Sequence, residues 1–548
     1  MMLRQRLDII RSWFNSKNAL YICLVFAIIN RSIMVTHYSQ FVSHDEKAQL
    51  TSAYNLLHGH GLSTTKYYTT DTDIPKYDKS QPWPPGYSLV MAIFLPIFNN
   101  DEFLATTVFD ILVGIAFILL IFKICRALKL SYALTNLFIL IAGCFQYYIF
   151  LVSFPTDHIS LVLLLWSLAV CIHLFRDDNR RTSSVYITFA SILFALPSFF
   201  RYMYIPISIL IPVLFTLFAA FHRKKVLFNK GILLILGTTI LLSLMIIFLK
   251  QYSDHSVHIP QTETGFFPEQ LTSWYPYVPA SFINIDFFSS TIRKLLNINY
   301  STVIEILRYL NILGAFYILI ICYGLFFKSK TYQQKMEVVL FLFIGFIVSL
   351  SIIFILAYLI LTNRPQFSFN YHLDGRYFAF PVIFIQFLIF ILAANKNLVS
   401  WHRFNRWIVI VLLIILSIES IHGVISNMKI IAYGDQLHNP YPTNKNLNYR
   451  PLINIFNGIH SKYPDRQLLI TSPNNYYMNA ASTLGYKGIY DFENIDQSDP
   501  AVTKKSLLVI IIHDEEIEPM QKYILEKRPT RLTSIFGQNF YLHPIDPE

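Results

Sequence analysis

Two adjacent carboxylates open the polar stretch that follows the first apolar segment of the chain. The stretch begins Ser43-His44-Asp45-Glu46 and continues into an amphipathic segment. A carboxylate can take a proton from an attacking hydroxyl group, so the pair is a candidate general base. Ser43 could instead cap a helix in which Asp45 and Glu46 complement the helix dipole. Both interpretations fit the residues.

A third carboxylate, Asp157, lies in the sequence Ser-Phe-Pro-Thr-Asp-His at the start of a later apolar segment. Pro155 and Thr156 are typical of a helix start, which offers a structural explanation for this acidic residue. The predicted topology brings Asp157 to the same membrane face as Asp45 and Glu46. Partly buried carboxylates near a bilayer tend to be functional, so the three are candidates for one catalytic site.

Two arginines, Arg201 and Arg376, lie at the ends of apolar segments, and each is followed by a tyrosine, which is Tyr377 in the second case. An Arg-Tyr pair can anchor a helix end among lipid headgroups. A guanidinium can also hold a lipid-borne phosphate through paired hydrogen bonds. Lys79 could serve the same purpose or be solvated. These residues therefore predict either headgroup anchoring or a phosphate site.

Histidines lie close to these residues but do not form a recognised metal-ligand pattern. The sequence therefore indicates no metal site, although it does not exclude a divalent metal, and it predicts no other cofactor. The five cysteines all fall inside apolar runs, which is typical of small core residues rather than of disulfides. The histidines concerned are His44, His58, His60 and His158.

Long apolar runs make up most of the chain of 548 residues. The elements that these runs form must position the candidate carboxylates and arginines. The chain is 54% hydrophobic and only 14% charged. Apolar runs of 18 or more residues require lipid around them. They predict a polytopic α-helical membrane protein. The predicted spans are 19–38, 103–122, 131–152, 157–175, 183–200, 203–221, 231–249, 301–327, 338–361, 377–394 and 407–427.

The distribution of basic residues orients these spans. With a cytoplasmic N-terminus, the cytoplasmic segments hold 20 Lys and Arg in 63 residues, whereas the outer segments hold 10 in 119. This is the positive-inside pattern, so the net charge of +11 reflects topology rather than nucleic-acid binding. The first run contains Arg31 and no cleavage motif, which predicts a retained span. The apolar run 86–98 is too short to cross a core of about 30 Å and is predicted to be re-entrant or interfacial.

The last part of the chain is polar and predicts a small α/β domain outside the membrane. We therefore divide the chain into a transmembrane domain at 1–428, with outer loops at 39–85 and 250–300, and an extracytoplasmic domain at 429–548. The odd number of spans puts this domain on the outer face. Predicted strands of the domain are 467–472, 507–513, 531–536 and 540–544, and predicted helices are 452–463, 474–484 and 515–527.

The order of several motifs resembles that of the GT-C class of membrane glycosyltransferases, which includes protein O-mannosyltransferases and the lipid A aminoarabinose transferase. The resemblance covers about residues 20–200 and extends more weakly to about 400. It implies a GT-C-like fold of about eleven to thirteen transmembrane helices. Many members carry lysine before the double proline, where this chain has Trp83, so Lys79 or an arginine would take that role. The motifs are Arg31, Asp45-Glu46, Leu56-Leu57-His-Gly-His-Gly61, Pro84-Pro85-Gly86-Tyr87, Arg201 and Arg376-Tyr377.

In that class the donor is a sugar on a polyprenyl phosphate, and transfer to a hydroxyl acceptor at the outer membrane face inverts the anomeric carbon. The resemblance implies that Asp45 takes the acceptor proton, that Glu46 orients or shares that task, and that Asp157 positions a substrate. The departing lipid phosphate would be stabilised by Arg201 and Arg376, with Lys79 as a further candidate. Residues implied in substrate positioning are His44, His158, Tyr87 and Tyr377.

The resemblance further implies a hexosyl- or pentosyltransferase of the bacterial cytoplasmic membrane, acting on a glycan, lipid or protein acceptor. An O-antigen ligase or polymerase would also use outer arginines and a lipid-linked sugar, but its key residues would lie in a large late loop. The late loop here, 362–376, has 15 residues. A transporter would be expected to show repeated halves or ionisable groups at mid-bilayer, and these spans show no evident repeat and few such groups.

Overall fold

A computed structural model of the chain contains two compact units. The helical unit comprises Met1–His37, Val108–Ile246 and Ile259–His438, and the sheet unit comprises Tyr38–Thr107, Ile247–His258 and Asn439–Glu548. The structure describes residues 12–38, 44–78, 84–145, 148, 151, 154–176, 184–252, 262–267, 299, 302, 336–365, 375–394, 403–433, 449–472, 477–478, 481, 484–490, 499–513, 523–524, 526–535 and 538–547.

The described helices confirm a polytopic integral membrane protein. Eight of them are long and apolar enough to cross a membrane, two of these being counted together with the 3-10 turn that precedes each (Tyr202–Phe221 and Arg376–Ala394). Three shorter apolar helices accompany them in the described part of the chain. Apart from residue 302, the predicted span 301–327 lies outside the described residues. The helices are α1 (Lys17–Tyr38), α2 (His44–Leu57), α3 (Gly86–Ile97), α4 (Glu102–Ala127), α5 (Tyr132–Cys144), α6 (Pro155–Arg176), α7 (Ser184–Phe200), α8 (Ile205–Phe221), α9 (Lys225–Tyr252), α10 (Met336–Thr362), α11 (Ala379–Ala394), α12 (Arg403–Tyr433) and α13 (Tyr449–Lys462).

The third predicted span is shorter than the sequence indicates. Its helix, α5, ends where the backbone of Phe145 becomes extended, with φ −67° and ψ 125°. Two side chains of α1 bind carbonyl groups of the last turn: Asn30 Nδ2 donates to Gly143 O at 3.0 Å, and Arg31 Nη1 donates to Ala142 O at 3.4 Å. These contacts satisfy helix-end carbonyls that have no intrahelical partner, so the helix can end inside an apolar run.

Close packing of α1 against α5 requires Gly143. A Cβ atom at this position would lie 2.5 Å from the Cβ of Ala27 and 2.7 Å from its Cα. We expect Gly143→Ala to destabilise the protein by about 1–3 kcal/mol, because the two helix backbones would have to separate. The measurement is the thermal unfolding midpoint of the full-length protein in detergent.

Gly458→Ala in α13 is the matched control for this experiment. No atom lies within 4 Å of a Cβ built at Gly458, so alanine there meets only open space. Gly458→Ala should raise the free energy of unfolding by about 0.5–1 kcal/mol, because alanine has the higher helix propensity. An equal unfolding midpoint for the two variants would contradict the close approach of α1 and α5.

The sheet unit contains a mixed seven-stranded sheet. The strands of the described residues are β1 (Thr64–Tyr68), β2 (Asp71–Asp78), β3 (Thr262–Thr264), β4 (Asn363–Pro365), β5 (Gln467–Thr471), β6 (Lys487–Ile489), β7 (Ser506–His513), β8 (Thr530–Ile535) and β9 (Gln538–Ile545). The order in this sheet is β2-β1-β6-β5-β7-β9-β8. Strands β6, β5 and β7 pair in parallel, and β9 and β8 add antiparallel strands beside β7. The continuous apolar sequence SLLVIIIH of β7 is typical of a central strand buried on both faces.

Strands β1 and β2 come from the predicted first outer loop, far from the rest of the sheet in sequence. They form an antiparallel hairpin, and Tyr67 of β1 pairs in parallel with Ile489 of β6. The carboxylate of Asp73 accepts hydrogen bonds from Lys487 Nζ, at 2.8 Å, and from the hydroxyl of Thr503. These bonds favour the ionised carboxylate and lower the pKa of Asp73. The sheet unit therefore joins two segments that the predicted domain boundary separates.

Candidate functional site

Asp157 lies in the first turn of α6 and contacts both arginines that the sequence singled out. Its side chain is fully buried. Arg201 Nε donates to Asp157 Oδ1 at 2.8 Å, and Arg201 Nη2 donates to Oδ2, so the guanidinium holds both carboxylate oxygens. Arg376 Nε lies 3.9 Å from Oδ2. One carboxylate is thus placed between two guanidinium groups.

The local backbone explains how these three residues reach one another. Pro155 opens α6 with a backbone angle already suited to a helix, which fixes Asp157 in its first turn. Arg201 has extended backbone geometry, φ −149° and ψ 118°, between α7 and the 3-10 turn Tyr202–Tyr204. Arg376 lies in a second 3-10 turn, Gly375–Phe378, directly before α11. Both arginines therefore occupy short irregular segments between membrane helices.

Aromatic rings surround the two guanidinium groups. The Cζ atom of Arg376 lies 4.3 Å from the ring centre of Phe154 and 5.0 Å from that of Tyr377. Arg376 Nη2 also donates to the Tyr377 hydroxyl at 3.2 Å, and Arg201 Cζ lies 5.7 Å from the same ring. Planar guanidinium groups stack well on aromatic faces, so these contacts fix their orientation. We call Asp157, Arg201, Arg376 and Tyr377 the Asp157 cluster.

The charged groups of the Asp157 cluster sum to +1. Asp157 contributes one negative charge and the two arginines contribute two positive charges, while the arginine side chains are only 11% and 14% exposed. Bringing like charges together away from water is costly unless opposite charge accompanies them. Guanidinium groups also bind phosphate and carboxylate oxygens through paired hydrogen bonds. An anion is therefore the ligand best matched to this cluster.

His158, the next residue of α6, faces a different partner. Its Nε2 atom lies 2.6 Å from Arg31 Nη2 of α1, and Arg31 Nη2 also donates to the backbone O of Tyr148 at 3.0 Å. Arginine can only donate, so Nε2 of His158 accepts and the imidazole carries its proton on Nδ1. The ring centre of Phe117 lies 4.9 Å from Arg31 Cζ. His158 is thus occupied by a buried arginine, and its predicted role in substrate positioning stays a prediction.

The sequence pattern did not identify Arg31 as a partner of a site residue. The signal was present, because an ionisable residue inside an otherwise apolar span usually has a specific partner. The identity of that partner could not be read from the sequence, since Arg31 and His158 are separated by 127 positions.

In the sheet unit, Glu46 and Tyr87 form a buried pair. The Tyr87 hydroxyl donates to Glu46 Oε1 at 2.7 Å. The neighbouring Lys47 is fully buried, and its Nζ lies 2.5 Å from Glu102 Oε2. Burial lowers the pKa of Lys47, although the Glu102 carboxylate opposes that shift. Glu46 and Tyr87 are therefore already bonded to each other, and both predicted roles remain predictions.

The remaining predicted site residues fall on other parts of the chain. His44 and Asp45 open α2, as the helix-start interpretation predicts, and their side chains lie outside the described residues. Lys79 also lies outside them. Within the described part of the chain, no three His, Cys, Asp or Glu residues are grouped as a metal site would need.

No protein-family model matches the chain, and no curated protein matches its sequence. Two solved structures of ArnT from Cupriavidus metallidurans are similar to it. The one bound to undecaprenyl phosphate is 10% identical, covers 96% of this chain and 98% of that chain, and has a TM-score of 0.38. The apo structure is 9% identical, covers 94% of this chain and 97% of that chain, and has a TM-score of 0.37. At these identities and TM-scores the similarity by itself supports no functional assignment.

Proposed function

We propose that this protein is a membrane glycosyltransferase that takes its sugar from a polyprenyl phosphate, and that the Asp157 cluster binds the phosphate. The observation that carries the proposal is the gathering of Arg201 and Arg376 on the single buried carboxylate of Asp157. Neither arginine is explained by the positive-inside tendency, since both belong to predicted outer segments. A phosphate ester at the membrane surface supplies the anion that such a cluster favours.

The cluster would act mainly in the transition state. As the bond between the anomeric carbon and the phosphate oxygen breaks, negative charge grows on the phosphate, and preorganised guanidinium groups stabilise that charge. The acceptor hydroxyl attacks the opposite face of the anomeric carbon, which inverts its configuration. The hydroxyl proton goes to a base, and the polyprenyl phosphate leaves without needing a separate acid. Asp45 is the proposed base.

In this mechanism Asp157 supports the reaction through the arginines. Both of its oxygens are engaged by Arg201, so its carboxylate orients the two guanidinium groups and holds their charges close together. The acceptor is a hydroxyl of a glycan, a lipid or a protein, and the transferred sugar is a hexose or a pentose. We propose that transfer occurs at the outer face of a bacterial cytoplasmic membrane, where the sheet unit would also lie.

The test of this function is a mass-spectrometric comparison of lipids and surface glycans from cells with and without the protein. A hexose-sized or pentose-sized unit should be missing from one glycan or lipid in the cells without it, with the polyprenyl-linked sugar retained. Restoring the gene product should restore the unit. Unchanged glycans and lipids, together with solute uptake by vesicles that contain the protein, would favour a transporter instead.

Asp45→Asn should reduce transfer by about 10²- to 10⁴-fold, because the amide cannot accept the acceptor proton. The readout is the transferred unit measured in the same cells, with the amount of folded protein checked in detergent. Asp465→Asn, which neutralises an exposed carboxylate of the sheet unit, is the control and should keep wild-type transfer. Full transfer by Asp45→Asn would remove Asp45 as the base.

A further inference from the structure

The hydroxyl group of Tyr204 is buried without a hydrogen-bond partner among the described residues. The side chain is fully shielded from solvent. Tyr204 ends the 3-10 turn that follows Arg201, and its backbone N donates to Arg201 O at 3.0 Å. The backbone of Tyr204 is therefore held by the same short turn that presents Arg201 to Asp157.

Tyr204 lies next to the Asp157 cluster. Tyr204 is three residues from Arg201, and Asp157, Arg201 and Tyr377 are the groups that act electrostatically on its phenol. The cluster consists of two guanidinium donors, the Tyr377 hydroxyl, which accepts from Arg376 Nη2, and one carboxylate whose two oxygens both bind Arg201. The Tyr204 hydroxyl bonds none of these groups, so its proton is available to an additional acceptor.

Two other fully buried tyrosines, Tyr148 and Tyr87, show what such a hydroxyl does when an acceptor is present. The Tyr148 hydroxyl donates to Gln386 Oε1 at 2.7 Å, and the Tyr87 hydroxyl donates to Glu46 Oε1 at 2.7 Å. Buried polar groups are usually bonded in this way, because leaving one unpaired loses the hydrogen bonds it makes in water. A phenylalanine would fill the Tyr204 position without that cost. The unpaired hydroxyl therefore indicates a ligand group that binds beside the cluster.

We propose that Tyr204 is a further ligand of the donor phosphate, and that its hydroxyl donates to a phosphate oxygen held by the Asp157 cluster. This inference rests on the proposed function. The bidentate contact to Asp157 leaves three N–H groups of Arg201 that this contact does not use, which suits a phosphate with several acceptor oxygens. Tyr204 adds a neutral donor, which strengthens binding without adding positive charge.

The test measures binding of undecaprenyl phosphate and of undecaprenol, which lacks the phosphate, to the full-length protein in detergent. Tyr204→Phe removes only the hydroxyl group. We expect it to weaken binding of the phosphate lipid about tenfold or more, as loss of a hydrogen bond to a charged group does, and to leave binding of undecaprenol unchanged. The control Tyr358→Phe removes an exposed phenol of α10 and should bind both lipids as the wild type does.

The unfolding midpoint of Tyr204→Phe separates ligand binding from a structural role. Because the hydroxyl bonds no described residue, the midpoint without lipid should be equal to or above that of the wild type. A clear fall in the midpoint would mean that the hydroxyl is bonded within the protein, and would overturn the proposal.

Two further results would overturn the inference in distinguishable ways. If the wild type prefers the phosphate lipid and Tyr204→Phe binds it equally well, Tyr204 is not a phosphate ligand, while the proposed function stands. If the wild type binds undecaprenyl phosphate no better than undecaprenol, the phosphate site itself is wrong, and the role of Tyr204 falls with it.

Discussion

Asp157→Asn should greatly reduce both stability and transfer. The amide has nearly the size of the carboxylate but cannot balance either guanidinium, so Arg201 and Arg376 would lie together without the negative charge between them. Removing one partner of a buried ion pair typically costs about 3–5 kcal/mol. We expect the lower part of this range, because the arginine side chains are 11% and 14% exposed. The measurement is the thermal unfolding midpoint of the full-length protein in detergent.

A double-mutant cycle with Arg201→Gln separates the ion pair from its function. In the Asp157→Asn background, Arg201→Gln removes one of the two guanidinium charges that the carboxylate balanced. The double variant should therefore be more stable than the sum of the single effects predicts, by about 1–3 kcal/mol. Transfer should not recover, because the phosphate would still lack Arg201. Additive effects on stability would contradict the close contact of the two side chains.

Glu337→Gln is the matched control for charge removal. Its carboxylate lies 3.6 Å from Arg176 Nε and 3.8 Å from Lys129 Nζ, whose side chains are 41% and 53% exposed. Exposed pairs of this kind contribute at most about 1 kcal/mol, because water screens their attraction. If Glu337→Gln lowers the unfolding midpoint as much as Asp157→Asn does, charge balance in general, rather than the Asp157 cluster, governs stability.

Arg376→Lys should reduce transfer by about 10²- to 10³-fold while the protein remains folded. Lysine keeps the positive charge but loses the planar fork that matches two phosphate oxygens. It also loses the stacking on Phe154, at 4.3 Å, and the hydrogen bond to the Tyr377 hydroxyl, at 3.2 Å. The transferred sugar unit, measured by mass spectrometry per amount of folded protein, is the readout.

Arg176→Lys provides the comparison for this substitution. Arg176 lies at the opposite end of α6 from Asp157, is 41% exposed and belongs to no candidate site. The Arg176→Lys variant should transfer sugar at the wild-type rate. Full transfer by Arg376→Lys would show that a point charge suffices and that the guanidinium geometry is not needed. Full transfer by Arg376→Gln as well would exclude Arg376 from phosphate binding.

The first turn of α6 contacts three arginines through two consecutive residues. Consecutive side chains of an α-helix point about 100° apart, so Asp157 and His158 face different partners. Asp157 binds Arg201 and Arg376, whereas His158 accepts from Arg31 of α1. A change that moves this helix start would therefore disturb both sets of contacts together.

Local patterns in the sequence determined the class of this protein and most of its elements. Long apolar runs predicted the membrane helices, because a span needs about 20 apolar residues whatever surrounds it. Short β-rich runs predicted β5, β7, β8 and β9 close to their observed bounds. The same local reading identified Asp157, Arg201 and Arg376 as unusual residues at span ends. It left open whether each was an anchor, a helix-start residue or part of a site.

Only the tertiary structure decided which of these residues meet. Arg201 and Asp157 are 44 positions apart, and the packing of separate helices brings the guanidinium onto the carboxylate. The same holds for Asn30 and Arg31, which end α5 by binding its last carbonyls, and for the hairpin that pairs Tyr67 with Ile489. Hydropathy and residue type act over a few turns of chain, whereas partners distant in sequence are selected by the free energy of the whole packed unit. The sequence therefore determined the membrane protein and its candidate residues, and the fold determined the cluster that they form.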